Sequence, residues 1–439
     1  MKTKQRGGET SKRNAYRMKI KRINIKGYRV VDEAKVDFGR QINVLYGVNG
    51  AGKSTVLEAL EKLLSWFVAR LQTKTGKGKH ILQSDITKGE QQCWLQLELD
   101  GGQKWSLFKQ DEQLRDEQLG KSDLTEMNLL VNQFFSSTSQ QAKIDTFLPI
   151  VCYGVDRAVA ASPTRIKAQH MLNPIDVYCG WNDEKADFKA FFEWFRERED
   201  LENELFRQDK EHFKPDYQLQ AVRQALETAL PGYDNLRINR RPRQVVVMNK
   251  GDEAFRFDEL SDGEKCYITL ISDLARRLAM VTSPQKDPLK TAAIALIDEV
   301  DLHLHPAWQQ DVIDNLTRTF PNVQFFITTH SPFVVSSVNT NDDRKIFVVD
   351  NGKIEELNDE LYGATVDHVL LRAFDLKTLR NKEVQKRIDE VWRTLANNKQ
   401  VSEDNNEAFA WLKANLSADD VEFARIALEM ARIKKKEGK

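Results

Sequence analysis

Long apolar runs are missing from this chain of 439 residues. No stretch approaches the roughly 18 consecutive apolar residues that a membrane-spanning helix requires, so a helical membrane span is excluded. Cysteine is scarce as well. The four present, Cys93, Cys152, Cys179 and Cys266, are scattered without a CxxC pair, which points to free thiols in a reducing cytoplasm. Net charge is absent, 66 basic against 66 acidic residues, so the chain as a whole calls for neither a nucleic-acid nor a membrane partner. The first seventeen residues, MKTKQRGGETSKRNAYR, lack the apolar core of a secretory signal and are expected to be a basic disordered tail. There is no internal repeat and no low-complexity core.

What is present starts at Met18. Residues 18–38 alternate like strands, and INVLY then runs directly into GVNGAGKST, residues 47–55. After that loop Val56, Leu57, Leu60, Leu63, Leu64, Phe67 and Leu71 recur at helical spacing. Strand, glycine loop and helix is the context in which a phosphate-binding loop works. Backbone N–H groups of Asn49, Gly50, Ala51, Gly52 and Lys53 would surround a β-phosphate at the positive end of the helix. Lys53 would reach the β- and γ-phosphates, Ser54 would offer its hydroxyl to Mg²⁺, and Thr55 closes the motif.

Three further segments suit the same chemistry. IALIDEVD (294–301) is a buried strand ending in Asp298, placed for the magnesium shell, and Glu299, placed as general base toward water. LSDGEK (260–265) puts Ser261, Gly263 and Glu264 at a helix start, where hydroxyl and backbone N–H can meet a phosphate. FITTHSP (326–332) ends a strand in His330, suited to a γ-phosphate contact. His303 and His305, as HLH, make a poor metal pair and read as structural.

Elsewhere, residues 93–108 predict a hairpin turning at Asp100-Gly101-Gly102, and Asn351-Gly352 predicts a second. The stripe Phe188, Phe192, Phe195 reads as core packing. Strands alternating with helices imply a largely parallel sheet covered by helices. From about 358 the pattern is helical, with a stripe at Val384, Ile388, Val391 and Leu395, a second at Phe423, Ile426, Met430 and Ile433, and a capping box starting at Ser417.

The order and spacing of GVNGAGKST, LSDGEK, IALIDEVD and FITTHSP resemble those of the ATP-binding-cassette ATPases. Under that resemblance Gly47, Gly52, Lys53 and Ser54 match Walker A, Asp298 and Glu299 match Walker B, Ser261 and Gly263 match the signature, and His330 matches the switch histidine. The family implies an α/β fold: an ABC-type P-loop NTPase head with a mixed, mainly parallel sheet. ATP and Mg²⁺ are the implied cofactors, with the signature of one copy completing the phosphate loop of another in a homodimer or higher oligomer. The Gly263-Glu264 ending, the run DEVDLHLHP and the opening KIKRINIKGYRVVDEAKVDF are similar to the RecF, Rad50-like and overcoming-lysogenization-defect branch. In that branch Arg29 matches a nucleotide-proximal arginine. Tyr153-Gly154-Val155-Asp156-Arg157 is the expected Q-loop region. Asp262 stands where the signature usually has a small residue.

The short helical insert and helical tail look like the PtuA family, the ATPase subunits of Septu and related retron anti-phage systems. The expected division is a tail at 1–17, the first part of the head at 18–165, a helical insert lobe at 166–245, the second part of the head at 246–357, and a helical region for partner or oligomer contacts at 358–439. No Toprim-type acidic cluster and no HNH histidine cluster accompany the ATPase, since the seven histidines are spread out. The resemblance therefore implies a separate HNH-type nuclease partner gated by an ATP-binding defence subunit. The alternative is a RecF-like repair ATPase binding DNA through basic residues 1–29, which hold eleven Lys or Arg and one acid, and through Arg237 to Arg243.

Overall fold

A computed structural model describes residues 18–111, 120–135, 147–155, 174–182, 188–241, 245–357, 360–374, 376–397 and 401–437. It forms two compact units, Met1–Ala364 and Thr365–Lys439. The expected basic tail, Asp156, Arg157 and Arg243 lie outside the described residues.

The first unit begins with β1 (Ile20–Tyr28), β2 (Val31–Asp37), β3 (Ile42–Tyr46) and helix α1 (Lys53–Gln72). A hairpin of β4 (Gln92–Leu99) and β5 (Lys104–Gln110) follows, then α2 (Thr125–Phe135) and β6 (Ile150–Tyr153). Next come α3 (Phe188–Gln208), α4 (Tyr217–Ala229), β7 (Tyr233–Asn239), β8 (Val245–Lys250) and β9 (Glu253–Arg256). The unit closes with α5 (Asp262–Met280), β10 (Ala293–Ile297), α6 (Pro306–Thr319), β11 (Val323–Thr329), α7 (Pro332–Ser336), β12 (Arg344–Asp350) and β13 (Lys353–Glu356).

The central sheet runs β13-β12-β3-β11-β10-β6, parallel throughout except for the hairpin strand β13. Strands of such a sheet are covered on both faces, which is why INVLY, AIALI and VQFFITT read as continuous runs rather than alternating ones. Every residue of β3, β10 and β11 is buried. The buried polar residues Asn43, Gln324, Thr328 and Thr329 in these strands are all hydrogen-bonded through their side chains. Gln324 accepts from the Ile20 N–H and donates to the carbonyls of Ile20 and Gly39, each at 2.8 Å, so a single amide ties β1 to the central sheet. Strand β1 belongs to a second, antiparallel sheet of order β2-β1-β4-β5. Helix α1 is buried along nearly its whole length, and its apolar residues share one core with β1, β4 and β5.

Within the segment expected to be a helical insert, residues 233–239 form strand β7, the edge of a three-stranded sheet of order β7-β8-β9. The phenylalanine stripe of α3 is buried, and Phe188 stacks on Phe257 with ring centroids 4.0 Å apart.

Helix α5 is tied to β6 by a buried charge cluster. Asp273, fully buried, takes Arg276 at 2.5 Å and Arg277 at 2.7 Å, and accepts from the Tyr153 hydroxyl at 2.9 Å. Arg277 also donates to the carbonyls of Val177 and Cys179. Burial pushes the Asp273 carboxyl up, but Arg277 and Arg276 outweigh it and hold it well below the usual carboxylate range.

The second unit holds α8 (Val366–Arg372), α9 (Lys382–Ala396), α10 (Glu407–Asn415) and α11 (Val421–Glu437). Ile388, Val391, Leu395, Leu412, Ile426 and Ile433 build its own core. The cap of α11 differs from the one expected at Ser417. Asp420 accepts from the Glu422 N–H at 2.9 Å and pairs with Arg380 through both guanidinium ends, while Ser417 bonds Asp419. The aspartate wins because it sits immediately before the first helical residue and brings a charge partner. No helix among the described residues is long and apolar enough to cross a membrane.

Replacing Asp273 by alanine strands two buried guanidinium groups, a change that costs about 3–5 kcal/mol. Urea unfolding of Asp273→Ala should show a loss of that order. The wild type should keep this contribution above the ordinary aspartate pKa of about 4 and lose it as the pH falls below it. A loss under about 1 kcal/mol would show that the cluster is not structural.

Candidate functional site

Strands β3, β11 and β10 lie side by side and parallel, so their carboxyl ends present residues 47–53, 330–331 and 298–301 together. Each expected segment arrives there on its own strand. Gly47 is required at the loop entrance by close approach: a Cβ there would lie 2.1 Å from the Val349 carbonyl oxygen of β12. The far side of the loop is braced by the Gly352 N–H, which donates to the Ala51 carbonyl at 2.9 Å. Asn49 and Gly50 stand exposed at the loop apex, whereas Ala51, Gly52, Lys53 and Thr55 are buried.

Lys53 Nζ donates to the carbonyls of Gly47 and Val48, both at 3.1 Å, and lies 3.5 Å from His330 Nδ1. Burial lowers its pKa, against the pull of Asp298, Glu299 and Asp301. Ser54 Oγ donates to Asp298 at 2.9 Å. Asp298 also accepts from the Thr328 hydroxyl, and its N–H donates to the Tyr153 carbonyl at 2.8 Å. Thr328 Oγ1 in turn accepts from the Glu299 N–H at 2.7 Å. The next residue repeats the device, Thr329 Oγ1 donating to Asp301 at 2.5 Å.

Glu299 holds a left-handed backbone, φ 48°, which is uncommon for a residue with a side chain and marks a constrained position. Its Oε1 lies 3.7 Å from His330 Nε2. Burial, and then Lys53, depress the His330 pKa below the ordinary histidine value, so its ring is neutral at pH 7. One strand-end cluster thus combines a desolvated ammonium, a hydroxyl–carboxylate pair, a second carboxylate and a neutral imidazole. Such a set can bind a polyphosphate and hold a proton acceptor toward water.

Arg29 and the signature segment are held by other groups within this chain. The Arg29 guanidinium is held by Glu58 at 2.5 Å and Asp85 at 3.0 Å, on the side of α1, and its backbone is left-handed at φ 54°. Ser261 caps α5, accepting from the Glu264 N–H while the Glu264 carboxylate accepts from the Ser261 N–H. Among the described residues no hydrogen bond or ion pair joins Ser261, Gly263 or Glu264 to the glycine loop. His305 caps α6 through Nδ1, and no group of three or more His, Cys, Asp or Glu among the described residues could hold a metal. Thr328 and Thr329 were within a recognised segment but carried no sequence signal beyond their place beside His330.

Residues 42–336 match the family described as "AAA domain, putative AbiEii toxin, Type IV TA system". The chain belongs to that family. It is 28% identical to the Retron Ec83 probable ATPase of Escherichia coli, over 94% of this chain and 87% of that one. Identity to the Retron Vc95 probable ATPase of Vibrio cholerae serotype O1 biovar El Tor is 27%, over 74% of this chain and 73% of that one. With the Septu protein PtuA of Bacillus thuringiensis it is 24%, over 74% of each chain. The chain is therefore an ABC-type ATPase related to those of retron and Septu systems.

With Glu299 taken as the general base, Glu299→Gln should lower ATP turnover about 10²- to 10⁴-fold while leaving ATP binding intact. Lys53→Ala should abolish binding itself. Filter binding beside phosphate release separates the two, and wild-type turnover by Glu299→Gln would show that the base is another group.

Proposed function

We propose that this chain is the ATP-binding and ATP-hydrolysing subunit of an anti-phage defence complex, in which two copies close around ATP and a separate HNH-type nuclease subunit reads that state. The observation that carries the reading is a division within one chain. The glycine loop, Asp298, Glu299 and His330 converge, while Ser261, Gly263 and Glu264 make no bond to them among the described residues. A signature segment that does not serve its own loop is available to that of a second copy. The kinship with retron and Septu ATPases supports the defence setting.

In this reading the backbone N–H groups of residues 49–53 and the start of α1 hold the phosphates, and Lys53 exchanges its two carbonyl contacts for phosphate oxygens. Mg²⁺ takes oxygen ligands and is typically held by one or two carboxylates together with substrate phosphates, which fits Ser54 and Asp298 meeting at 2.9 Å. When bound it would supply positive charge to the β- and γ-phosphates. Thr328 holds the Asp298 carboxylate through its hydroxyl proton and the Glu299 backbone N–H through its lone pair. His330, neutral, has a ring nitrogen on each side: one toward Lys53, one toward Glu299. Nucleotide state then biases a two-state dimer, closed against open, and ATP acts as a signal to the partner. The second unit, with its own core, is the region we assign to partner contacts.

The competing reading as a DNA-repair ATPase would draw on the basic hairpin. There Arg240 is engaged by Asp200 at 2.6 Å and Glu199 at 2.9 Å, and Arg237 by Asn235 and Asn249. Those internal partners favour a structural role for the hairpin.

Affinity purification of tagged Glu299→Gln protein from its native host, followed by mass spectrometry, tests the proposal. The expected result is a stoichiometric small nuclease that survives DNase treatment. Recovery of the chain alone, with DNA-stimulated hydrolysis in the wild type, would move the assignment to repair.

A further inference from the structure

The Glu264 carboxylate is filled on both oxygens. Oε1 accepts from the Tyr233 hydroxyl and from Lys250 Nζ at 2.8 Å. Oε2 accepts from the Ser261 N–H at 2.8 Å and from the Ser261 hydroxyl at 2.7 Å. Burial raises the carboxyl pKa, but Lys250, Tyr233 and Ser261 outweigh it and hold it at about 2. Tyr233 and Lys250 are register partners across β7 and β8, and the ammonium lies 5.3 Å from the tyrosine ring centroid. Trp308 of α6 meets Tyr233 edge-on at 6.2 Å and Tyr267 of α5 at 5.8 Å. Gly263 presses on the segment after Walker B so closely that a Cβ would lie 2.1 Å from the His303 carbonyl oxygen. The hairpin, the start of α5 and the start of α6 are therefore packed on one another.

A serine hydroxyl has one proton to donate, and here Ser261 gives it to Glu264. A phosphate oxygen is an acceptor and needs that same proton. With the signature facing a second copy's nucleotide, the carboxylate would also bring a negative charge toward an anionic γ-phosphate, and Lys250 offsets that charge. We propose that Tyr233 and Lys250 clamp Glu264 and thereby govern whether Ser261 can turn its hydroxyl to the γ-phosphate of a partner copy's ATP. The inference rests on the reading above, in which the signature segment faces nucleotide bound by a second copy. Tyr233 and Lys250 are positioning residues: they act through Glu264, and a shift of the β7–β8 hairpin moves both together.

Steady-state ATP hydrolysis by full-length variants tests the clamp. Lys250→Met leaves the Glu264 charge uncompensated and should raise KM for ATP with little change in kcat. Because Lys250 is about half exposed, the rise is limited to about fivefold. Tyr233→Phe, which removes only a hydroxyl, should raise KM in the same direction. In a Glu264→Gln background there is no charge left to offset, so adding Lys250→Met should leave KM where Glu264→Gln alone puts it. Ser261→Ala separates the two levels of the argument. If it loses turnover while Lys250→Met keeps the wild-type KM, the clamp is wrong and the signature reading stands. If Ser261→Ala hydrolyses ATP as the wild type does, the signature reading fails and the clamp with it. An equal KM rise from Lys250→Met in both backgrounds would show that Lys250 acts independently of Glu264, which also overturns the clamp.

Discussion

The carboxylate of Asp298 accepts from Ser54 on α1 and from Thr328 on β11, while its own N–H is fixed to Tyr153 on β6. One residue thus joins the start of α1 to the ends of three neighbouring strands, β10, β11 and β6. Thr328 is shared with the Glu299 N–H, so the Asp298 carboxylate and the Glu299 backbone are set by one hydroxyl. Lys53 and Glu299 reach toward the two nitrogens of His330 from opposite sides. The two acids are held by the scaffold, whereas Lys53 rests on the Gly47 and Val48 carbonyls.

Sheet order makes that meeting possible. In a parallel sheet the strand ends that carry loops all point the same way, and β3, β11 and β10 are adjacent. Ser54 and Asp298 are 244 residues apart along the chain and Lys53 and His330 277, yet they need only short loops to touch. Buried polar residues within the strands protect the order. Asn43 bonds Gly39 and Phe325, and Gln324 bonds Ile20 and Gly39, so a shifted register would leave amides unpaired in the core. At the β6 edge of the sheet, Asp273 with Arg276, Arg277 and Tyr153 connects the helix that begins at the signature to the strand beside Walker B.

What could be read from the sequence was local. The glycine loop, the apolar strands ending in Asp298 and His330, both hairpins and the phenylalanine stripe of α3 each depend on neighbours a few residues away, so spacing alone exposed them. The parts that could not be read depend on distant pairings. Nothing in the neighbourhood of Arg29 shows that Glu58 and Asp85 hold it, and nothing near Glu264 points to Tyr233 or Lys250. Strand β7 was hidden because its pairing with β8 shifts register between Asp234 and Arg237, which blurs the alternation a strand would display. At Ser417 a legitimate local signal lost to Asp420, which had both the right position and a bidentate arginine.

In the proposed dimer each site is completed by two chains: Lys53 and Glu299 from one, Ser261 from the other. Mixing two inactive variants measures this directly. Lys53→Ala lacks the loop and Ser261→Arg lacks the signature, yet a mixed dimer holds one site with both parts intact. Mixing equal amounts should restore ATP hydrolysis that neither variant shows alone. A mixture as inactive as its components would contradict the shared site.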